Sequence, residues 1–164
     1  METVMRIKVN GRSYEVRVSP NSTLQDVLRK ELGLTSLKDM CLGHGACGSC
    51  TVLLEGRPVL SCMTLALDCE GKEVETVEGI SASGHPLIDS FLDNHAFQCG
   101  YCTPGFVVTA KALLDRNPRP TAEEIVEALG GNICRCGAYP AVISAVQQAS
   151  ENLERHGHGE EKKN

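Results

Sequence analysis

Eight of the nine cysteines in this 164-residue chain fall into two sets of four, and no other feature limits its fold as tightly. The first set is Cys41, Cys47, Cys50 and Cys62, spaced C-x5-C-x2-C-x11-C. The second joins Cys99 and Cys102 in QCGYC to Cys134 and Cys136 in NICRC. Thiolates in fours hold either zinc or an iron–sulfur cluster. Choosing between those metals is choosing between a structural module and an electron carrier.

A third use of many cysteines is a disulfide framework in a secreted protein. The stretch METVMRIKVNG lacks the apolar core of a secretory leader, and no apolar run reaches the length of a membrane span. The thiols are therefore expected to be reduced, in the cytoplasm, and to serve as metal ligands. Sixteen basic against 21 acidic side chains, a net charge of −5, argue against nucleic acid as a partner.

Two regimes of periodicity divide the chain. Residues 4–18 alternate, with Val4, Arg6 and Lys8 before Asn10-Gly11 and Tyr14, Val16 and Val18 after it, which predicts a hairpin on a type I′ turn. Leu24, Val27, Leu28 and Leu32 then take helical spacing, with Ser22 or Thr23 as N-cap and Gly33 as the stop. The first cysteine loop follows. Thr51–Leu54 and Pro58–Leu65 predict a second hairpin around Glu55-Gly56, and Lys72–Val77 predicts a last strand. The expected fold of residues 1–77 is a small mixed sheet on one helix. Residues 78–86 (EGISASGHP) read as a linker.

From residue 87 to 154 the apolar spacing is helical throughout. Leu87, Ile88, Phe91 and Leu92 form one stripe; Phe106, Ala110, Leu113 and Leu114 form the next, after Pro104 at a helix start. Thr121 and Glu124 make a capping box for Ile125, Val126 and Leu129, and Val142, Val146, Ala149 and Leu153 make a fourth stripe. Residues 155–164 have no period and are expected to be a disordered tail. The fold class is thus α+β. Each half has a thin core, since aromatics are only 4% of the chain, and a metal centre would staple each.

The spacing of the first set is the plant-type ferredoxin arrangement, whereas zinc ribbons pair C-x2-C with C-x2-C. Gly43, Gly45 and Gly48 supply the backbone freedom to wrap a cluster with N–H groups turned toward sulfur. In the second set, Cys99–Cys102 precedes one helix and Cys134–Cys136 another, so two helix N-termini bring partial positive charge to one anionic group. A thioredoxin-like role for C-x-x-C needs a βαβ context that is missing here. Cys69 is expected to be a structural core thiol. His44 is the one other conceivable ligand in the first loop, and His95 is expected in the core or an interface.

DMCLGHGACGSCTVLLEGRPVLSC, FQCGYCTPGF and GGNICRCGAYPAVISAV resemble the small iron–sulfur subunit of molybdenum hydroxylases, over about residues 4–153. That family includes xanthine dehydrogenase, aldehyde oxidoreductase, carbon monoxide dehydrogenase and nicotinate dehydrogenase. The resemblance implies an N-terminal β-grasp ferredoxin-like domain and an all-α four-helix domain, each with one [2Fe-2S] cluster. It implies a large partner subunit with the molybdopterin cofactor and a medium subunit with FAD. It implies that Gln98 and Cys136 lie closest to the pterin, and that electrons enter at the helical-domain cluster and leave from the other. The family has four residues between its first two cysteines, and here Cys41 and Cys47 enclose five. The extra residue is expected to bulge at Leu42-Gly43.

The reading is an electron-transfer subunit of an oxidoreductase complex, with no catalytic residue of its own. The competing readings are a free-standing two-cluster ferredoxin or redox sensor, and a zinc-stabilised interaction module.

Overall fold

Alternation in the first 18 residues builds the edge of a sheet. In the computed structural model, which describes residues 2–157, β1 (Thr3–Val9) and β2 (Arg12–Val18) pair antiparallel. Asn10 and Gly11 both take positive φ, 49° and 78°, as a type I′ turn requires. Val4, Arg6 and Lys8 face solvent, while Met5, Ile7 and Val9 face inward. Helix α1 (Leu24–Asp26) opens on a Thr23/Asp26 capping box and continues as a π-helical turn, Val27–Glu31, closed by Leu32 N–H on the Val27 carbonyl. Strands β3 (Thr51–Leu54), β4 (Arg57–Leu60) and β5 (Glu73–Glu75) complete a five-stranded sheet in the order β2-β1-β5-β3-β4. The β1–β5 pair is parallel and the others are antiparallel. Leu24, Val27 and Leu28 pack on Met5, Ile7, Val16, Val52 and Val74, so the sheet wraps one helix. Cys69 is fully buried in this core, as a structural thiol should be.

Three elements differ from the sequence expectation. β4 ends at Leu60, not Leu65, because Ser61 turns into a 3-10 helix (Ser61–Met63) and donates from both N–H and Oγ to the Cys50 carbonyl. This turn swings Cys62 toward the first loop. β5 is shorter than Lys72–Val77 because Thr76 leaves the strand, its N–H bonded to Asn10 Oδ1, and a helix starts at Val77. That helix, α2 (Val77–Ala82), occupies much of the expected linker 78–86; fully buried Ile80 holds it against the helical core.

The helical half then follows the four stripes: α3 (Pro86–Asp93), α4 (Thr103–Arg116), α5 (Ala122–Ala128) and α6 (Tyr139–Gly157). Thr121 and Glu124 form the expected capping box. Phe106, fully buried, anchors the core against Leu87, Phe91, Ile125, Val142 and Val146, and meets Tyr139 edge to face at 5.7 Å. His95 is not in the core: it is exposed, at φ 48°, on the turn that ends α3. Of the expected tail 155–164, residues 155–157 continue α6, and 158–164 lie outside the described residues.

The halves share a face. Leu53 of β3 is buried in the helical core, and Lys111 of α4 reaches Glu75 of β5 at 3.4 Å. Glu78 at the start of α2 accepts from Ser36 Oγ at 2.6 Å and from Thr76 Oγ at 2.6 Å. These hydrogen bonds outweigh burial and hold its carboxyl below the usual glutamate value. Among the described residues no helix is long and apolar enough to cross a membrane.

Candidate metal centres

The first cysteine loop is shaped by backbone that glycine permits. Gly43, Gly45 and Gly48 take φ of 82°, 69° and 71°, and Leu42 joins them at 55°. Leu42 is 80% exposed. The same turns aim N–H groups inward. Burial works against ionisation of the Cys41 thiol, but the N–H groups of Ala46, His44 and Cys47 and the Cys47 thiol outweigh it and lower its pKa to about 7. Cys62 is pushed up to about 12 by burial, then by the Cys50 thiol and the charge on Cys41, against the Gly45 N–H. The thiols of this set thus influence one another in two pairs, Cys41 with Cys47 and Cys50 with Cys62. Cys47, Cys50 and Cys62 are buried and Cys41 is partly exposed. His44, in the same loop, donates its Nδ1–H to the Cys41 carbonyl at 2.6 Å.

The second set comes from segments far apart in sequence. Cys102 is the N-cap of α4, and Cys134 and Cys136 lie in the loop before α6. Cys136 Sγ and Cys99 Sγ are 3.6 Å apart. Cys102 is raised to about 12 by burial, then by the Cys134 thiol and, more weakly, by Cys99. Cys134 is lowered despite desolvation by N–H groups of Ala138, Cys136 and Gly137 and by the Cys102 thiol; the Ala138 N–H lies 3.4 Å from its sulfur. Here too the thiols meet as two pairs, Cys99 with Cys136 and Cys102 with Cys134. This set is open: Cys99 is exposed, and Cys102 and Cys136 are partly so. Gln98, beside Cys99 in sequence, is exposed.

The donor sets suit a binuclear centre, in which each iron takes two thiolates. Among the described residues no three His, Cys, Asp or Glu side chains converge as a mononuclear ion needs. Two buried hydroxyls, Ser49 Oγ and Thr103 Oγ, sit one residue from Cys50 and Cys102 and have no protein partner. A sulfide-rich cluster brings acceptors to such places. Cysteine ligation requires all four thiols as thiolates, so binding releases the protons that Cys62 and Cys102 hold in the free chain.

The two sets adjoin. Ile133, next to Cys134, donates its N–H to the Cys47 carbonyl at 3.0 Å. Asn132 Nδ2 donates to the Gly48 carbonyl at 3.1 Å, and Tyr139 Oη bridges the Asn132 carbonyl and the Cys134 N–H. Sequence reading missed Asn132 and Gly105, and it marked Tyr139 only as an exposed aromatic flanking the cysteine motifs, not as a hydrogen-bonding group. Asn132 and Gly105 lie within three residues of a second-set cysteine, and Tyr139 lies three beyond Cys136, but nothing local shows what they touch.

Comparison with known proteins agrees with this geometry. A family model described as 2Fe-2S iron-sulfur cluster binding domain matches residues 7–79, and one described as [2Fe-2S] binding domain matches residues 76–147. The chain is 46% identical to the nicotinate dehydrogenase small FeS subunit of Eubacterium barkeri, covering 90% of this chain and 94% of that one. It is 46% identical to the nicotine 6-hydroxylase small subunit of Paenarthrobacter nicotinovorans, covering 87% of each. Quinoline 2-oxidoreductase from Pseudomonas putida has a chain that superposes with a TM-score of 0.88 at 41% identity, over 94% of this chain and 97% of that one. In the aldehyde oxidoreductase from Desulfovibrio desulfuricans the same unit, 44% identical with a TM-score of 0.88, is 17% of a longer chain. Two cysteine sets on a sheet half and a helical half, matched along nearly the whole length, place this chain in the family of small [2Fe-2S] subunits of molybdenum hydroxylases.

Proposed function

We propose that the open set, Cys99, Cys102, Cys134 and Cys136, receives single electrons from a molybdopterin-bearing large subunit. The sheltered set, Cys41, Cys47, Cys50 and Cys62, then delivers them to an FAD-bearing medium subunit or another acceptor, in the cytoplasm. When bound, each [2Fe-2S] cluster supplies a one-electron carrier. The chain's part is to hold, tune and space the two. N–H groups of Ala46 and Gly45 in one loop, and of Ala138 and Gly137 in the other, stabilise negative charge at sulfur. Gln98 and Cys136 face the donor.

The observation that supports this reading is asymmetry of exposure. The open set has Cys99, Cys102 and Cys136 at or near the surface, flanked by exposed Phe97, Tyr101 and Tyr139. Aromatic groups left exposed around a functional opening mark a partner surface. A groove beside Cys99 and Cys102, edged by Met40, Leu42 and Arg135, continues that surface toward the first loop.

Anaerobic purification of the untagged complex tests this. The chain should co-purify with a larger molybdenum-bearing subunit, and substrate should bleach the iron–sulfur absorbance within one turnover. A monodisperse chain that keeps both clusters and binds no larger subunit would favour the free-standing ferredoxin instead.

A further inference from the structure

The contact between the two cysteine loops is closer than packing of two domains requires. Three residues meet there, each on a segment carrying candidate ligands. Gly48 lies between Cys47 and Cys50, Gly105 follows Cys102 by three residues, and Asn132 precedes Cys134 by two. A Cβ on Gly48 would come within 2.6 Å of Asn132 Nδ2 and of the Gly131 carbonyl. A Cβ on Gly105 would overlap the Gly48 carbonyl oxygen. Both positions therefore exclude any side chain, and the backbones approach as near as they can.

Asn132 closes this seam. It is 5% exposed, and its amide donates to the Gly48 carbonyl, which also accepts from Thr51 Oγ at 2.7 Å and Thr51 N at 3.2 Å. The Thr51 contacts stay within the first loop and β3, whereas the Asn132 contact crosses to the second. The main-chain bond from Ile133 N–H to the Cys47 carbonyl runs parallel to it, one residue along on each side. Asn132's own carbonyl is held by Tyr139 Oη at 3.3 Å, so its side chain is aimed from a fixed base.

We propose that Asn132 is a positioning residue for electron transfer: its side-chain amide latches the two cysteine loops together and sets the separation and orientation of the clusters. It ligates neither. The step it serves moves one electron from the reduced helical-half cluster to the oxidised sheet-half cluster, and no bond forms or breaks. The inference rests on the two-cluster reading above, and the iron and sulfide count checks that reading separately.

The test uses the complex as purified, fully reduced with dithionite, with Asn132→Asp and Asn132→Ala. The aspartate keeps the shape but sets an acceptor oxygen against the Gly48 carbonyl; the alanine removes the donor. Both variants should keep the parental iron and sulfide content and each cluster's own g-values. Both should lose much of the splitting that arises from magnetic interaction between the two reduced clusters, and should pass electrons between the clusters more slowly after a laser-triggered reduction. Gly105→Ala, which wedges the same seam, should show the same pattern. Unchanged splitting and rate with both clusters present would overturn the proposal. Loss of a cluster in both Asn132 variants would overturn it as well, because the side chain would then serve the folding of one loop rather than the gap between two.

Discussion

The two cysteine loops solve the same chemical problem with opposite exposure. The first set is drawn largely from one loop, wrapped by glycines and roofed by the turn at Ser61–Met63, and three of its four thiols are buried. The second set is assembled from two loops far apart in sequence at the ends of helices, and one of its four thiols is buried. A loop that encloses its own metal needs no partner to exclude water. A site built on helix termini is left open, and in the proposed reading a docked subunit covers it. The proposed direction rests on this difference: the open end suits close approach of a donor, and the sheltered end suits a relay.

Ligand replacements break the comparison most severely. Cys102→Ser and Cys134→Ser should remove the helical-half cluster, about half of the iron, and abolish reduction by substrate, since thiolate ligation is lost. Cys50→Ser and Cys62→Ser should also halve the iron yet leave the first electron transfer intact while stopping delivery to the acceptor. Metal analysis and single-turnover bleaching separate the two classes.

Next in size is the seam itself. Gly48→Ala puts a side chain at φ 71° and 2.6 Å from the Gly131 carbonyl. Strain and overpacking together should cost about 3 kcal/mol, a fall in Tm of roughly 6–12 °C. Gly11→Ala takes a similar φ of 78° but meets nothing, so it should cost about 1 kcal/mol. The gap between the two in calorimetry measures the close approach of the loops rather than backbone strain alone.

A smaller effect tests the tie between α2 and the segment before the first loop. Glu78→Gln weakens charge-assisted hydrogen bonds from Ser36 and Thr76 and should cost about 1 kcal/mol at pH 7. Because the folded-state pKa is lowered, the unfolded chain binds the proton first as pH falls. The stabilisation is therefore complete above the ordinary glutamate value of 4.5 and is lost as pH drops through the lower folded value. The difference in Tm between parent and variant should shrink to near zero over that window. The smallest effect belongs to the bulge. Deleting Leu42, which is 80% exposed, should leave the first cluster's spectrum and potential nearly unchanged, whereas Cys41→Ser should shift both.

Local chemistry carried most of the fold into the sequence. Asn10-Gly11 determines its hairpin because two consecutive positive φ values favour that pair, and Thr121 with Glu124 marks a helix start because both groups act within one turn. The cysteine sets were legible because metal ligation restricts both residue type and spacing. What stayed hidden depends on distant partners. β4 stops at Leu60 because Ser61 bonds Cys50, eleven residues away, and α2 replaces a linker because Ile80 finds the helical core. Asn132 and Gly48 are 84 residues apart, and no periodicity reports a hydrogen bond across that distance.

The central claim is that two unlike clusters lie in series along one chain, the open one first. Rapid-freeze EPR of the anaerobic complex, mixed with substrate and sampled through the first turnover, tests it most directly. Two [2Fe-2S] clusters, hence four irons and four sulfides per chain, should give two distinguishable reduced signals. In the parent the signal lost in Cys102→Ser should rise first and the signal lost in Cys50→Ser second, and in Cys102→Ser neither should rise. Appearance of the sheet-half signal at an undiminished rate in Cys102→Ser would contradict the series order, and stoichiometric zinc in place of iron would contradict the account altogether.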